Sequence, residues 1–293
     1  MAASGARWSE KAPRGIVTAA ALSGIWLMGF IILFLIKEGM PILSEVSILD
    51  IASGNRWYPV SSPPRYGMLP LFAGSCAVTL LSCVIAIPFG TAVALFISDV
   101  CPERAREFCK VSLEILGFLP SVVLGFLGMV VLAPWMQAKF ELLSGLNMLN
   151  ASFLLGVMIL PTIATLSEDS LRAVSQSLRD ASYALGATRF ETMFKVVLPC
   201  ASRGIVSAAI LGMMRSVGET MVVLMASGGA ALIPRFITDP VRPLTSTIAA
   251  EMGETPVGSP HYHALFFMGC LLMLFTCLLN MLVMKIESAR RAK

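Results

Sequence analysis

One arginine in this 293-residue sequence stands where an arginine is expensive. Arg215 lies inside the apolar run from Gly204 to Ala226, and a guanidinium at the centre of a membrane-spanning helix costs about 2.5–3.5 kcal/mol on insertion scales. Glu219 follows four residues on, and in an unbroken helix Ala208, Gly212, Arg215 and Glu219 share one face. Small residues there admit close helix approach, and the two charges direct the face into a helix bundle or a water-filled path. Two chemistries fit it. A guanidinium offers a planar fork of donors to the oxygens of a phosphate-like anion; alternatively the two residues form a structural ion pair, although Arg ahead of Glu is the weaker order on a helix. Glu114, near the start of the apolar run Val111 to Trp135, either lines the same path or snorkels to the interface. His261 and His263 make a His-x-His, but no Cys or further His lies nearby, so no metal site is expected. Cys76/Cys83 and Cys270/Cys277 are spaced as small packing residues on one helix face, and there is no Cys-x-x-Cys.

The elements that must position these groups are membrane helices. The chain is 56% hydrophobic and 14% charged, with a mean hydropathy of +0.80, which is not the composition of a soluble surface, a disordered chain or a disulfide scaffold. A net charge of +4 is no argument for nucleic acid. Six apolar stretches stand out: Ile16 to Ile36, Leu69 to Ile97, Val111 to Trp135, Ala151 to Leu166, Gly204 to Ala226 and Tyr262 to Met284. Pro88 marks an expected kink in the second, and Pro161 interrupts the short fourth. The first is preceded by Arg7, Lys11 and Arg14 and followed by Lys37-Glu38 rather than a cleavage site, which reads as an uncleaved signal anchor. With the N-terminus inside, the cytoplasmic segments collect 15 Lys and Arg and the external ones 6, leaving Arg215 within a span. Both termini are therefore expected in the cytoplasm. Trp57, Tyr58, Tyr66, Trp135 and Tyr262 fall near the opposite interface. The expected organisation is a cytoplasmic 1–15, an anchor 16–36, an extracytoplasmic loop 37–68, a five-helix unit 69–284 and a cytoplasmic 285–293.

The inside segment from Ser167 to Arg203 is too patterned for a plain connection. Leu171, Val174 and Leu178, then Tyr183, Leu185, Phe190, Phe194 and Val197, recur at helical spacing, predicting helices over Glu168–Leu178 and Arg179–Val197 that Pro199 ends. Within it, Asp180-Ala181-Ser182, three residues, Gly186, nine residues and Val196-Val197-Leu198-Pro199 resemble the EAA loop of binding-protein-dependent ABC importers, E-A-A-x3-G-x9-I-x-L-P. The spacing matches throughout, with three letters changed. No segment reads Gly-x4-Gly-Lys-Ser/Thr, so ATP hydrolysis belongs elsewhere.

Further stretches are similar to the C-type permease subunits of phosphate-specific (Pst) importers: Trp57-Tyr58-Pro59, Tyr66-Gly67-Met68-Leu69-Pro70-Leu71, Leu119-Pro120-Ser121-Val122-Val123, the run Gly218 to Ala226, and Ala249 to Glu254. The resemblance implies an all-α polytopic protein of type I importer permease fold with cytoplasmic coupling helices, in a bacterial inner membrane. It implies no cofactor and no catalytic residue. The residues themselves, independently of the resemblance, make Arg215, Glu219 and Glu114 the candidates for the translocation path, and the resemblance assigns ATPase coupling to Asp180, Ala181, Ser182, Gly186, Leu198 and Pro199. The implied partners are an A-type permease, ABC ATPases on the cytoplasmic face, an extracytoplasmic phosphate-binding protein and the lipid bilayer. Sulfate, molybdate and phosphonate importers share the architecture, and the A-type permease shares the Gly-Glu-Thr start of the run at Gly218. Of other classes, a secondary transporter would show an internal repeat, which is absent, and a membrane sensor would not require a buried Arg-Glu face beside a coupling motif.

Overall fold

The computed structural model describes residues 5–291, with side chains from 15 to 286. Arg7, Lys11, Arg14, Arg290, Arg291 and Lys293, which enter the charge count, lie outside the described side chains. Among the described residues six helices are long and apolar enough to cross a membrane: Gly15–Glu45, Leu69–Val100, Ser121–Phe140, Met148–Arg172, Arg189–Val217 and Pro260–Ile286. The expected number stands, but three boundaries move.

In chain order, α1 (Gly5–Gly39) leads through α2 (Ile42–Glu45), α3 (Ile48–Ser53) and a two-residue hairpin, β1 (Trp57–Tyr58) with β2 (Arg65–Tyr66), into α4 (Leu69–Leu95). The segment 37–68 is thus a folded cap rather than a plain loop. Ile42, Ile51, Trp57 and Tyr66 bury themselves with Leu244, Leu265 and Met268 in a shared core. α4 runs through Pro88 and ends in a π-helical turn, Phe96–Val100.

The first moved boundary is the third span. Val111 does not begin it; α5 (Glu103–Gly117) is a separate amphipathic helix with no buried residue, and Phe108, Val111 and Ile115 form its exposed apolar stripe. The break at Phe118–Pro120 starts α6 (Ser121–Leu127), which passes through a π-helical turn at Gly128–Leu132 into α7 (Ala133–Phe140). A proline disfavours helix in the residue before it, and its fixed φ suits a helix start, so Pro120 divides the two helices.

The second is the fourth span. α8 (Met148–Arg172) continues through Pro161 and absorbs Glu168, so the first expected coupling helix is the tail of a span. α8 is the axis of the bundle. Leu155, Ile159 and Ile163 pack with Val78, Cys83 and Ala86 of α4 and with Leu124 of α6, and Ile163 meets Gly90 of α4 and Gly212 of α11 (Leu198–Val217) where a Cβ would have no room. The small-residue face expected around Ala208 and Gly212 is therefore real and turned towards α8.

The third is the fifth span. After α9 (Gln176–Ala184) and α10 (Arg189–Thr192), a π-helical turn at Met193–Val197 joins α11 without a break. Pro199 does not end a helix, contrary to expectation. It occupies the first turn of α11, where its missing N–H costs little because the π turn has already widened the ladder, Leu198 N–H bonding Met193 O. The helix stops instead at Val217, and α12 (Met221–Ala226) follows the gap. α13 (Leu244–Glu251) and α14 (Pro260–Arg291) complete the chain. α14 packs on α1, with Phe34 and Phe266 edge to face at 5.5 Å. The described part of α1 is otherwise exposed along its apolar length, a surface suited to lipid.

Candidate functional site

Arg215 and Glu219 do not share a helix. Gly218 closes α11 and Glu219 turns back on its own backbone, its carboxylate accepting from Met221 N–H at 3.2 Å and Val222 N–H at 3.5 Å. It caps the start of α12, satisfying N–H groups a helix leaves unpaired. Thr245 Oγ1 donates to the Glu219 carbonyl at 2.8 Å and pins the break to α13. The spacing argument for an i, i+4 ion pair therefore fails, and no Arg215–Glu219 salt bridge exists among the described residues.

Arg215 occupies the last turn of α11 and is exposed. Its guanidinium donates to Thr162 Oγ1 at 2.9 Å and to Gly117 O at 3.4 Å. The carbonyl belongs to the last residue of α5, so the cation lies between two helix C-termini, each carrying roughly half a negative charge. These helix ends steady the guanidinium, and no carboxylate pairs with it among the described residues. Breaks at Phe118–Pro120 and at Gly218–Thr220 are adjacent in the fold, since α6 packs on α12 with Gly125 against Met221 O and the Met225 side chain. Glu114 is exposed on α5 one turn before Gly117; it makes no ion pair with Arg215 among the described residues.

The motif loop forms a compact turn. Asp180 accepts from Gln176 Nε2 at 3.0 Å on the exposed side of α9, and Ala181 is exposed beside it. Ser182 is buried, its hydroxyl 2.9 Å from Thr192 Oγ1 of α10. Gly186 reverses the chain at φ +84°, with Gly186 N–H bonding Tyr183 O and Ala187 N–H bonding Ser182 O. This left-handed geometry is one glycine adopts readily. Leu198 and Pro199 stand in the continuous helix that rises from this turn. Leu185 and Phe190, 90% and 65% exposed, present an unpartnered apolar surface at its tip.

Sequence reasoning missed a third cluster, at the opposite end of α4. The Glu251 carboxylate accepts from Trp57 Nε1 at 3.0 Å, pairs with Arg242 at 2.8 Å and lies 2.7 Å from His261 Nε2. One carboxylate thereby ties the hairpin, the loop before α13, α13 itself and the start of α14, beside a cavity of about 770 Å³. In that loop the amides of Phe236 and Arg235 hold the Asp239 carboxyl below its ordinary range. His263 donates from Nδ1 to Glu38 O at 2.6 Å, so the two histidines serve separate partners, and no metal-ligand cluster is found among the described residues. Trp57 and Glu251 are 194 positions apart, and no local signal links them.

Residues 86–293 match the family described as the binding-protein-dependent transport system inner membrane component. The chain is 38% identical over 280 residues to a probable ABC transporter permease protein, YqgH, of Bacillus subtilis (strain 168), covering 95% of this chain and 91% of that one. It is 29% identical over 280 residues to the phosphate transport system permease protein PstC of Mesorhizobium japonicum, covering 89% and 84%. With the PstC 1 protein of Mycobacterium bovis it shares 32% over 237 residues, covering 73% and 70%. Among solved structures, a bacterial alginate ABC transporter superposes with a TM-score of 0.60 at 13% identity, covering 97% of each chain. The MetNI methionine ABC transporter gives 0.57 at 22% identity, covering 74% of this chain and 92% of that one. At those identities the likeness is one of fold.

Proposed function

The chain belongs to the binding-protein-dependent transport system inner membrane components, and from that membership we propose that this ABC importer permease subunit is the C-type permease for inorganic phosphate. The observation that carries the substrate class is Arg215: a guanidinium at a helix break, steadied by a hydroxyl and a carbonyl and paired with no carboxylate among the described residues. Such a group keeps its charge and part of its donor fork for an incoming oxyanion. The phosphate permeases among the relatives support the same reading.

In this reading an A-type permease faces the Arg215 side, the ATPases receive the α9 turn, and the binding protein delivers substrate at the Glu251 end, with both termini cytoplasmic. The continuous helix from Arg189 to Val217 supplies the linkage. Its 29 residues span about 43 Å at 1.5 Å per residue, so a shift imposed on the coupling turn displaces Arg215 without an intervening hinge loop. Glu219, fixed across the gap to α12 and α13, stays behind, and the grip on the anion changes as the ATPases close and open. The test is ATP-dependent uptake by proteoliposomes holding this chain, its partner permease and ATPases, supplied with a phosphate-loaded or a sulfate-loaded binding protein. Phosphate accumulates and sulfate does not; preferential sulfate uptake overturns the assignment.

A further inference from the structure

Beside the coupling turn, a polar cavity of about 490 Å³ is lined by Arg106, Arg172, Arg179 and Arg189 against one carboxylate, Asp99. The carboxylate is already bound to Arg179, whose other arm donates to Leu171 O at 2.9 Å. Arg106 spends its donors on the carbonyls of Ile97 and Ser98, at 3.0 and 3.1 Å, where α4 ends. Those bonds orient it without cancelling its charge. Among the described residues Arg172 pairs with Glu168 alone, at 3.5 Å, and that carboxylate is held more closely by Lys110, at 2.8 Å. Arg189 has no ion pair among the described residues. The lining therefore carries a surplus of positive charge that the described residues do not balance.

The cavity is not the apolar surface of the coupling turn. Gln176, Arg179 and Tyr183 of α9 line it, whereas Leu178 and Ala181, on the opposite side of the helix, and Leu185 just past its end are exposed. Arg106 and Arg179 turn inward to carbonyls near the ends of α4 and α8, while Arg172 and Arg189 line the cavity from exposed positions. We propose that this cavity binds a phosphate group, supplied either by free inorganic phosphate or by an anionic lipid headgroup. A guanidinium fork pairs bidentately with either a carboxylate or a phosphate, but the additional oxygens of a phosphate let it engage several forks at once, which a two-oxygen carboxylate or a halide does less well. The headgroup source is within reach because Phe108, Val111 and Ile115 of α5 offer an exposed apolar stripe suited to lying in a membrane surface. An anion here bridges α5, α8, α9 and the start of α10, and so holds the coupling turn against the spans.

Binding does not depend on transport, so the test is made on the full-length chain in an Arg215→Gln background, which removes the candidate path from the count. In phosphate-free maltoside detergent, labelled inorganic phosphate is titrated by equilibrium dialysis. In a second arm, nanodiscs of phosphatidylcholine with or without phosphatidylglycerol are used, and retained lipid is counted by native mass spectrometry. The unaltered cavity binds in at least one arm, and the arm identifies the source. Arg172→Gln with Arg189→Gln, both at exposed positions, leaves the melting temperature unchanged and weakens that binding at least tenfold. Equal binding by the double variant, or no binding in either arm by the unaltered cavity, overturns the proposal.

Discussion

Arg215 shares its guanidinium between the Thr162 hydroxyl and the Gly117 carbonyl, and this division of labour makes the residue testable. Lysine keeps the charge but loses the fork, so Arg215→Lys is expected to assemble normally and to lose most phosphate uptake, by tenfold or more. Because Glu219 caps α12 rather than pairing with Arg215, changing both Arg215 and Glu219 to Gln should not rescue transport; a double variant near the wild-type rate would falsify the path role. Thr162→Val removes one anchor at nearly constant shape, with a stability change of about 1 kcal/mol. Its uptake should fall through a weaker apparent affinity, measured as the phosphate concentration at half-maximal rate. An unchanged half-saturation value would show that Thr162 positions nothing.

At the scale of elements, two glycines carry separable loads. Gly186 has open space around its missing Cβ but a φ of +84°, so Gly186→Val is strained by conformation alone, by about 1–2 kcal/mol. The protein should reach the membrane and fail to retain the ATPase in a pull-down; normal retention with normal uptake would remove the coupling role from this turn. Gly212 is the converse. Its backbone is helical, and a Cβ would stand 2.7 Å from Ile163 Cγ1 and 2.8 Å from its Cδ1. Ile163 is fully buried, so Gly212→Ala should overpack the α8–α11 seam at a cost of about 1–3 kcal/mol. Ile163→Ala should then cost less thermal stability in the Gly212→Ala background than in the unaltered protein, because part of the cavity is already filled, and equal costs in the two backgrounds would contradict the seam.

For the whole molecule, we propose the orientation that the Lys and Arg count implies, with both termini cytoplasmic; it would put the Glu251 cluster and the Arg106 cavity on opposite sides of the membrane. In a background without native cysteines, an impermeant thiol reagent applied outside intact cells should label cysteines introduced at Ser61 or Val257. Cysteines at Ser177 or Ala187 should react only after the membrane is opened. The reverse pattern would invert the molecule and place the coupling turn away from ATP.

Six spans, a tight turn at Gly186 and an out-of-place Arg215 were legible in the amino-acid order, because each rests on a local quantity. Crossing lipid requires an apolar stretch of sufficient length whatever its neighbours do, and the Gly186 turn needs a residue that tolerates positive φ. The partners of the charges were not local. Helical periodicity assumed that α11 ran past Gly218, and only the pull of Glu219 on the amides of α12, with Thr245 from α13, shows that it stops. The same periodicity read Pro199 as an end, whereas a π turn carries the helix through it. Hydropathy merged the start of the third span with α5, since Val111 to Gly117 is as apolar on one side as a membrane segment. Glu251 gathers Trp57, Arg242 and His261 from segments far apart in the chain. Membrane insertion is decided segment by segment, so sequence determined the spans; the partners of a charge are decided by which helix ends meet, and only the packing of α5, α8 and α11 brought the ends around Arg215 together.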